Sequence, residues 1–160
     1  SPSFIPCTPL GIIKMLECYK VNTYGKNVVI VGRSNIVGKP IAMLLAQKFE
    51  IGNSTVTICH SATKNLRNFT VQADILIVAI GSPNFINSDM VKSRAVIIDV
   101  GINRVNDESS AKGYKIIGDV DFNSVIEKVD KITPVPGGVG PMTISMLLFN
   151  TISSARKLNS

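Results

Sequence analysis

Residues 27–40, NVVIVGRSNIVGKP, decide the fold class of this chain of 160 residues. Asn27–Val31 is a short β-branched run that Gly32 closes, and Gly38-Lys39-Pro40 then opens a stretch with apolar side chains at helical spacing. A strand that enters a glycine turn and then a helix is the opening unit of a doubly wound α/β sheet. We therefore predict that this turn lies at the carboxyl end of the first strand, where ligands bind in such sheets.

The rest of the chain repeats this unit. Apolar runs predict strands at Thr55–Cys59, Asp74–Ala79 and Ala95–Val100, each without alternation, as expected when helices cover both faces of a parallel sheet. We predict one Rossmann-like domain over residues 1–160 with a mostly parallel sheet. We predict a first helix over Pro9–Lys20, with Thr8 as its cap and Tyr19 on its buried face. The remaining predicted elements are a helix from Gly38 through Phe49, crossovers at Lys64–Gln72 and Asn84–Lys92, a hairpin or loop at Arg104–Lys115, a short helix Asp121–Val129, a strand Lys131–Pro134, and a last helix to about Leu158.

Composition narrows the class of protein. The chain has 17 Lys and Arg against 11 Asp and Glu, a formal charge of +6, with 45% hydrophobic and 18% charged residues. That balance argues against disorder, and no apolar run approaches the roughly 20 residues of a bilayer-spanning helix. The positive charge raises the alternative of a nucleic-acid-binding module, but no predicted helix carries a basic stripe and no nucleic-acid-binding motif is present. A positive surface equally suits an anionic cofactor.

The three cysteines, Cys7, Cys18 and Cys59, are widely spaced and form no Cys-x-x-Cys pair. We predict neither a disulfide framework nor a metal site. The first residues show no charged leader before an apolar run, so we expect a reducing, cytoplasmic location. Because the chain opens without Met, we also expect it to be a piece of a longer protein.

The glycine turn departs from the G-x-G-x-x-G pattern. Ser34 stands at the middle glycine position, and Gly38 comes one residue late. The physical logic is kept, because a tight turn brings backbone N–H groups and a helix N-terminus close to a pyrophosphate. A purely structural turn is the alternative interpretation.

The end of the second predicted strand indicates which dinucleotide is bound. An NAD site usually carries an acid there for the ribose 2′-OH, whereas His60-Ser61-Ala62-Thr63-Lys64 contains none. Arg33, Ser61, Thr63 and Lys64 offer positive charge and hydroxyl groups that suit a 2′-phosphate. The sequence therefore favours NADP; the alternative is that Arg33 and Lys64 are ordinary solvated cations.

Other chemistry-bearing residues receive structural interpretations. His60 has no nucleophile near it in sequence, so we do not predict catalysis by it. Cys59 is expected to pack in the sheet. Asp99, Asp119 and Asp121 are expected to cap helices and loops rather than bind a metal.

The segment Pro134–Pro141, PVPGGVGP, contains three Gly and three Pro in eight residues. Such a segment fixes a compact backbone that can approach a ligand closely before a helix begins, although a rigid loop–helix junction is the alternative. The helix that follows is apolar nearly all round at Ile144–Phe149. We therefore predict that this helix is buried against something beyond the sheet.

Several motifs in order carry a family resemblance. The chain closely resembles the carboxyl-terminal half of the bifunctional methylenetetrahydrofolate dehydrogenase/methenyltetrahydrofolate cyclohydrolase family over essentially its whole length. The matching motifs are Pro6-Cys7-Thr8-Pro9, Gly32-Arg33-Ser34 with Val37-Gly38 and Pro40, Thr55-Val56-Thr57 with His60-Ser61, Ala73-Asp74, Ile98–Asn103, Gly118–Phe122 and Pro134–Thr143.

The resemblance implies an activity and a set of site residues. The family oxidises 5,10-methylenetetrahydrofolate by passing hydride to NADP and hydrolyses the methenyl product to 10-formyltetrahydrofolate. By similarity, Gly32, Arg33 and Ser34 hold the cofactor phosphates and ribose, Ser61 lies near the 2′-phosphate, and Ile102 lies against the nicotinamide. Together with the strand ends, this gives a cofactor-binding set of Gly32, Arg33, Ser34, Val37, Gly38, His60, Ser61, Thr63, Gly81 and Ile102, and a substrate-cleft set of Gly137, Gly138, Val139, Gly140 and Pro141.

The resemblance also implies what is missing. The family's catalytic Lys, in a Tyr-x-x-x-Lys motif, lies upstream of the Pro-Cys-Thr-Pro segment, so no catalytic residue is assigned here. Residues 1–22 and 141–160 resemble the helices that connect to an amino-terminal catalytic domain. We expect this chain to bind NADP without folate turnover and to form a homodimer; a non-catalytic NADP-sensing domain is the alternative.

Overall fold

The structure is a computed structural model that describes residues 4–158. The outermost residues of the two predicted connecting segments, 1–3 and 159–160, lie outside the described residues. The helices are α1 (Cys7–Cys18), α2 (Gly38–Ala46), α3 (Leu66–Thr70), α4 (Phe122–Val125) and α5 (Val139–Leu158), and the strands are β1 (Asn27–Val31), β2 (Thr55–Cys59), β3 (Ile75–Val78), β4 (Val96–Asp99), β5 (Asn103–Asn106), β6 (Tyr114–Ile117) and β7 (Lys131–Ile132).

The main sheet has five parallel strands in the order β2-β1-β3-β4-β7. The chain runs from β1 outward to β2 and then returns to the other side of β1 with β3, so a topological switch point lies between β1 and β3. This arrangement confirms the predicted Rossmann-like, doubly wound fold. Strands β5 and β6 pair antiparallel within residues 103–117, as the predicted hairpin requires.

Alternate residues of the strands divide the core into two clusters. Val28 and Ile30 of β1 pack in a cluster with residues of α1 and α2, whereas Val29 and Val31 pack in a second cluster that includes Val125 of α4. Because successive strand side chains point to opposite faces, each face of the sheet is covered by its own helices. The apolar runs of β1 and β3 are buried on both faces for this reason.

Strand β2 does not follow the expectation of complete burial. It is the edge strand of the sheet, and Thr55 and Ile58 are exposed. Its sequence, TVTIC, places threonines between its apolar residues, as suits a strand with one neighbour. The prediction that every strand is an apolar run without alternation is therefore wrong for β2.

The first helix begins two residues earlier than predicted, and Thr8 is not its cap. Pro6 occupies the N-cap position of α1 without a side-chain hydrogen bond, and Thr8 Oγ1 instead lies 2.9 Å from Thr143 Oγ1 of α5. The helix ends at Cys18, and Tyr19 is exposed rather than part of the buried face. A partner far along the chain determines the role of Thr8.

Several predicted boundaries shift inward. Helix α2 ends at Ala46 rather than Phe49, because Gln47 is extended and its carbonyl accepts the N–H of Asn53. Helix α4 occupies only Phe122–Val125, with Asp121 at its N-cap. Strands β3, β4 and β7 are shorter than predicted, and the two crossovers contain α3 and a short 3-10 helix, Ser88–Met90.

Helices α1 and α5 pack closely together. A Cβ at Gly11 would lie 3.2 Å from Met142 Cβ, so the small residue sets the distance between the two helices. Much of α5 remains open, since Ile144, Leu147 and Leu148 are 56–64% exposed. The described residues therefore do not supply the burial that the sequence predicted for this helix. Within residues 4–158, every helix is too short or too polar to cross a bilayer.

Candidate cofactor site

The predicted site residues lie at the carboxyl ends of the strands of the main sheet. Because the five strands are parallel, their carboxyl ends lie on the same side. Gly32 follows β1, His60 follows β2, Gly81 comes shortly after β3, Ile102 after β4 and Pro134 after β7. The structure thus places all parts of the predicted site along the edge where open α/β sheets bind ligands.

The glycine turn lies at the switch point and requires its glycines. Gly32 has φ +124°, and a Cβ there would overlap the carbonyl oxygen of Ala79, which follows β3. A Cβ at Gly38 would overlap the carbonyl oxygen of Gly32. Both glycines permit close backbone approach, so the turn keeps the physical logic of the dinucleotide motif although its spacing differs.

Ser34 organises this turn through its hydroxyl. Its Oγ accepts the N–H groups of Val37, at 3.0 Å, and Gly38, at 3.3 Å, where α2 begins. In the part of the chain that the structure describes, the N–H groups of residues 33–36 have no protein acceptor. A run of free amide donors beside a helix N-terminus is suited to an anion such as a pyrophosphate. These two hydrogen bonds of Ser34 were not predicted from the sequence.

The turn after β2 is partly held by its own hydrogen bonds. The N–H of His60 donates to Thr63 Oγ1 at 2.9 Å, and the N–H of Ala62 donates to His60 Nδ1 at 3.2 Å. Ser61 and Lys64 are exposed, as is Arg33 on the neighbouring turn. Neither Arg33 nor Lys64 forms an ion pair with any residue in the range 4–158. Both cations are available to an anionic group at this corner of the sheet.

Cys59 closes β2 with its side chain in the core. The residue is 1% exposed and packs with the second core cluster. Burial raises the pKa of its thiol, because desolvation disfavours the thiolate. The prediction that Cys59 packs in the sheet is confirmed.

A cleft of about 530 Å³ lies beside Ile102 and the Pro-Gly segment. It is lined by all five predicted cleft residues, Gly137 to Pro141, together with Ile102, Thr8 and Ile144. Val139 is 4% exposed and also belongs to the core, so it anchors the cleft wall from behind. The glycine turn and Gly81 do not line this cleft, so the predicted site has two separate parts along one edge.

Among the described residues that line the cleft, Asp99 has the only titratable side chain. Its carboxylate is already engaged, since Oδ1 accepts the N–H groups of Gly101 and Asp119 and Oδ2 accepts that of Val120, at 2.9 to 3.0 Å. Burial raises the pKa of Asp99, and these hydrogen bonds oppose the rise. Because the described cleft has no free acid or base, proton transfer there requires a group from elsewhere.

Asp119 and Asp121 accept hydrogen bonds at a loop and at a helix end, which are the structural roles that the sequence predicted for them. No group of three or more His, Cys, Asp or Glu side chains within residues 4–158 could hold a metal ion. Asp121 caps α4 by accepting the N–H of Ser124, and Asp119 accepts four hydrogen bonds from the turn after β3 and the start of β5. These donors were not predictable from local sequence, since all four lie at least 16 residues away from Asp119.

The fold and the site together define a dinucleotide-binding domain of the doubly wound class. The chain belongs to the tetrahydrofolate dehydrogenase/cyclohydrolase family, whose NAD(P)-binding domain model matches residues 6–159. This match confirms the resemblance drawn from the motifs.

Similar proteins cover the whole domain. The Bifunctional protein FolD of Chlorobium phaeobacteroides is 57% identical over 157 residues, which are 98% of this chain and 53% of that protein. The crystal structure of the FolD enzyme from Campylobacter jejuni matches 96% of this chain and 51% of its own, at 52% identity and a TM-score of 0.87. The FolD of Trypanosoma brucei, complexed with NADP cofactor and inhibitor, matches 100% and 54%, at 40% identity and a TM-score of 0.90. The chain spans about half the length of the curated relatives it matches.

Proposed function

We propose that this chain is the NADP-binding half of an enzyme that oxidises 5,10-methylenetetrahydrofolate and hydrolyses the methenyl product to 10-formyltetrahydrofolate. The observation that carries the proposal is the glycine turn at the switch point, with its free amides at residues 33–36, in a member of this family. The Trypanosoma relative, complexed with NADP and superposing over the entire chain, supports the same function.

NADP, rather than NAD, suits the corner formed by the turns after β1 and β2. Arg33 and Lys64 form no ion pair within residues 4–158, Ser61 offers an exposed hydroxyl, and the segment 60–64 contains no carboxylate. A 2′-phosphate gains charge-assisted hydrogen bonds in such surroundings, whereas the 2′-OH of NAD finds no acidic partner.

The second part of the site provides a wall for the reacting groups. Bound NADP would supply the hydride acceptor, and the backbone of Gly137–Pro141 and the side chain of Ile102 would wall the cleft for the reacting groups. Since this cleft offers no free base, we propose that the domain alone binds NADP and that a partner domain supplies the proton-transfer group.

The same proposal extends to partners and location. We propose that α1 and α5 carry the junction with the partner domain, because they pack on each other while α5 presents exposed apolar side chains. The family resemblance favours a homodimer, which sedimentation velocity would test. The three cysteines are free thiols, which favours a reducing, cytoplasmic location, to be checked by cell fractionation.

Calorimetric titration with NADP and with NAD at matched ionic strength tests the cofactor assignment. We expect NADP to bind more tightly than NAD, and Arg33→Gln to weaken NADP binding about tenfold and NAD binding by less, because the charge-assisted hydrogen bond to the 2′-phosphate is lost. Arg94→Gln is the matched control, since Arg94 precedes β4 at the opposite edge of the sheet. Equal affinity of the unaltered chain for both dinucleotides would contradict the NADP assignment, and no binding of either would contradict the proposed function.

A further inference from the structure

Asp119 is a buried carboxylate held almost entirely by backbone amides. Asp119 is 0% exposed to solvent. Oδ2 accepts the N–H groups of Ile80 at 2.7 Å and Gly81 at 2.9 Å, and Oδ1 accepts that of Ser82 at 2.9 Å. The fourth donor is Asn103 Nδ2, 2.8 Å from Oδ1. Three successive backbone amides donate to this one carboxylate, so it fixes the local backbone. A neutral side chain would accept fewer hydrogen bonds at this position.

The donors belong to the turn after β3 and to the first residue of β5. Residues 80–82 form the turn after β3 and contain Gly81, which has φ +68°. Asn103 directly follows Ile102, which lines the cleft. Between these two segments, Gly101 packs so closely that a Cβ there would overlap the Asp119 carboxylate. One side chain therefore fixes the turns after β3 and β4 relative to each other.

The hydrogen bonds of the Asp119 side chain do not reach the glycine turn or the turn after β2. Its hydrogen-bond partners include none of residues 32–38 or 60–64. Among the described residues, no Lys or Arg forms an ion pair with it, so the amide dipoles alone balance its charge. A carboxylate saturated in this way is not available for proton transfer, but it determines where the Gly81 and Ile102 backbones lie.

We propose that Asp119 is a positioning residue for the nicotinamide half of the bound dinucleotide, acting through the Gly81 and Ile102 loops and not through the adenosine half. This inference rests on the proposed function. It predicts that the two halves of the cofactor respond differently to a change at residue 119.

The test is calorimetric titration of Asp119→Asn with two probes, NADP and adenosine 2′,5′-bisphosphate, which carries only the adenosine half. The introduced amide group points an N–H at donors that it cannot pair with, so the two loops lose their common anchor. We expect NADP binding to weaken about tenfold, while binding of the bisphosphate changes less than about twofold. Asp121→Asn, the same change at a helix cap, should leave both affinities unaltered.

A second variant keeps the test decisive if Asp119→Asn does not fold, as circular dichroism would reveal. Asn103→Ala removes one of the four donors and should weaken NADP binding by a few-fold, again without effect on the bisphosphate. Equal weakening of both probes, or no effect on NADP, would overturn the positioning role. Failure of the unaltered chain to bind either probe would instead overturn the proposed function, and the inference with it.

Discussion

Gly32 shows how one residue joins the fold to the site. Residue 32 has a φ of +124°, which favours glycine, and a Cβ there would overlap the carbonyl oxygen of Ala79. Both the backbone conformation and the close approach of the turns after β1 and β3 therefore require glycine. The turn that presents free amides therefore cannot form around a larger residue without moving the backbone after β3. Sequence reasoning identified the turn, but the contact with Ala79 depends on strand order and was not predictable locally.

Replacing Gly32 by Ala should destabilise the protein by about 3 kcal/mol or more, since backbone strain and a backbone clash add. Urea denaturation followed by circular dichroism measures the change. The control is Gly25→Ala, at φ +66° with open space around it, which should cost only about 1 kcal/mol of conformational strain. Similar losses for the two variants would show that the clash with Ala79 is relieved at little cost.

Asp74, which precedes β3 at the amino end of that strand, makes the stability of the chain depend on pH. Its Oδ1 accepts Lys92 Nζ at 2.6 Å and its Oδ2 accepts the N–H of Asn27 at 2.9 Å, and these bonds lower the pKa of the carboxyl, with the Lys92 contact the larger cause. A lowered pKa in the folded state means that the carboxylate stabilises the protein above its ordinary pKa of about 3.9. That contribution is lost as the pH falls through the folded pKa.

We therefore expect the unaltered chain to lose more stability between pH 7 and pH 2 than Asp74→Asn, which keeps an acceptor for Asn27 but has no charge to lose. The difference should be about 0.5 kcal/mol, because the ion pair is partly exposed to solvent. Urea midpoints at the two pH values provide the measurement, with Asp89→Asn as control because its carboxylate forms no ion pair within residues 4–158. Parallel losses in the unaltered chain and Asp74→Asn would contradict the assignment.

At the scale of elements, the features predicted correctly from the sequence are those that a local residue pattern determines. The uninterrupted apolar runs around Val28–Val31 and Ile75–Val78 indicated a parallel sheet, and the glycine turn indicated where its ligand edge lies. The errors arose where distant partners decide. Thr8 contacts α5 instead of capping its own helix, and β2 is an edge strand because of the strand order. Asp119 accepts hydrogen bonds from the turn after β3 and from the start of β5.

Helix α5 has apolar side chains that contribute little to the stability of this chain. Leu148 is 60% exposed, so Leu148→Gln should change the free energy of unfolding by less than about 0.5 kcal/mol while reducing concentration-dependent association seen by light scattering. Gly11→Val is the contrasting variant, since α1 and α5 touch at that residue and overpacking costs about 1–3 kcal/mol. A large destabilisation by Leu148→Gln would show that the side chain packs within this chain.

At the scale of the whole molecule, we propose that cofactor binding and proton transfer lie in different parts of the enzyme. The chain spans about half the length of its curated relatives, and its cleft has no free acid or base among the described residues. We expect the chain to bind NADP yet to produce no NADPH from 5,10-methylenetetrahydrofolate, as followed by absorbance. Adding a relative's amino-terminal half should restore turnover. Rates from this chain alone that match those of a relative at its full length would contradict the division of labour.

The edge position of β2 has a consequence for how cofactor preference can change over generations. Residues 60–64, which are proposed to read the 2′-phosphate, follow a strand with one neighbour, and three of the five are exposed. Surface substitutions there cost little stability, because few buried contacts depend on them. Selection can therefore alter which dinucleotide a descendant prefers through this short segment, while the glycine turn and the buried strands behind it stay as they are.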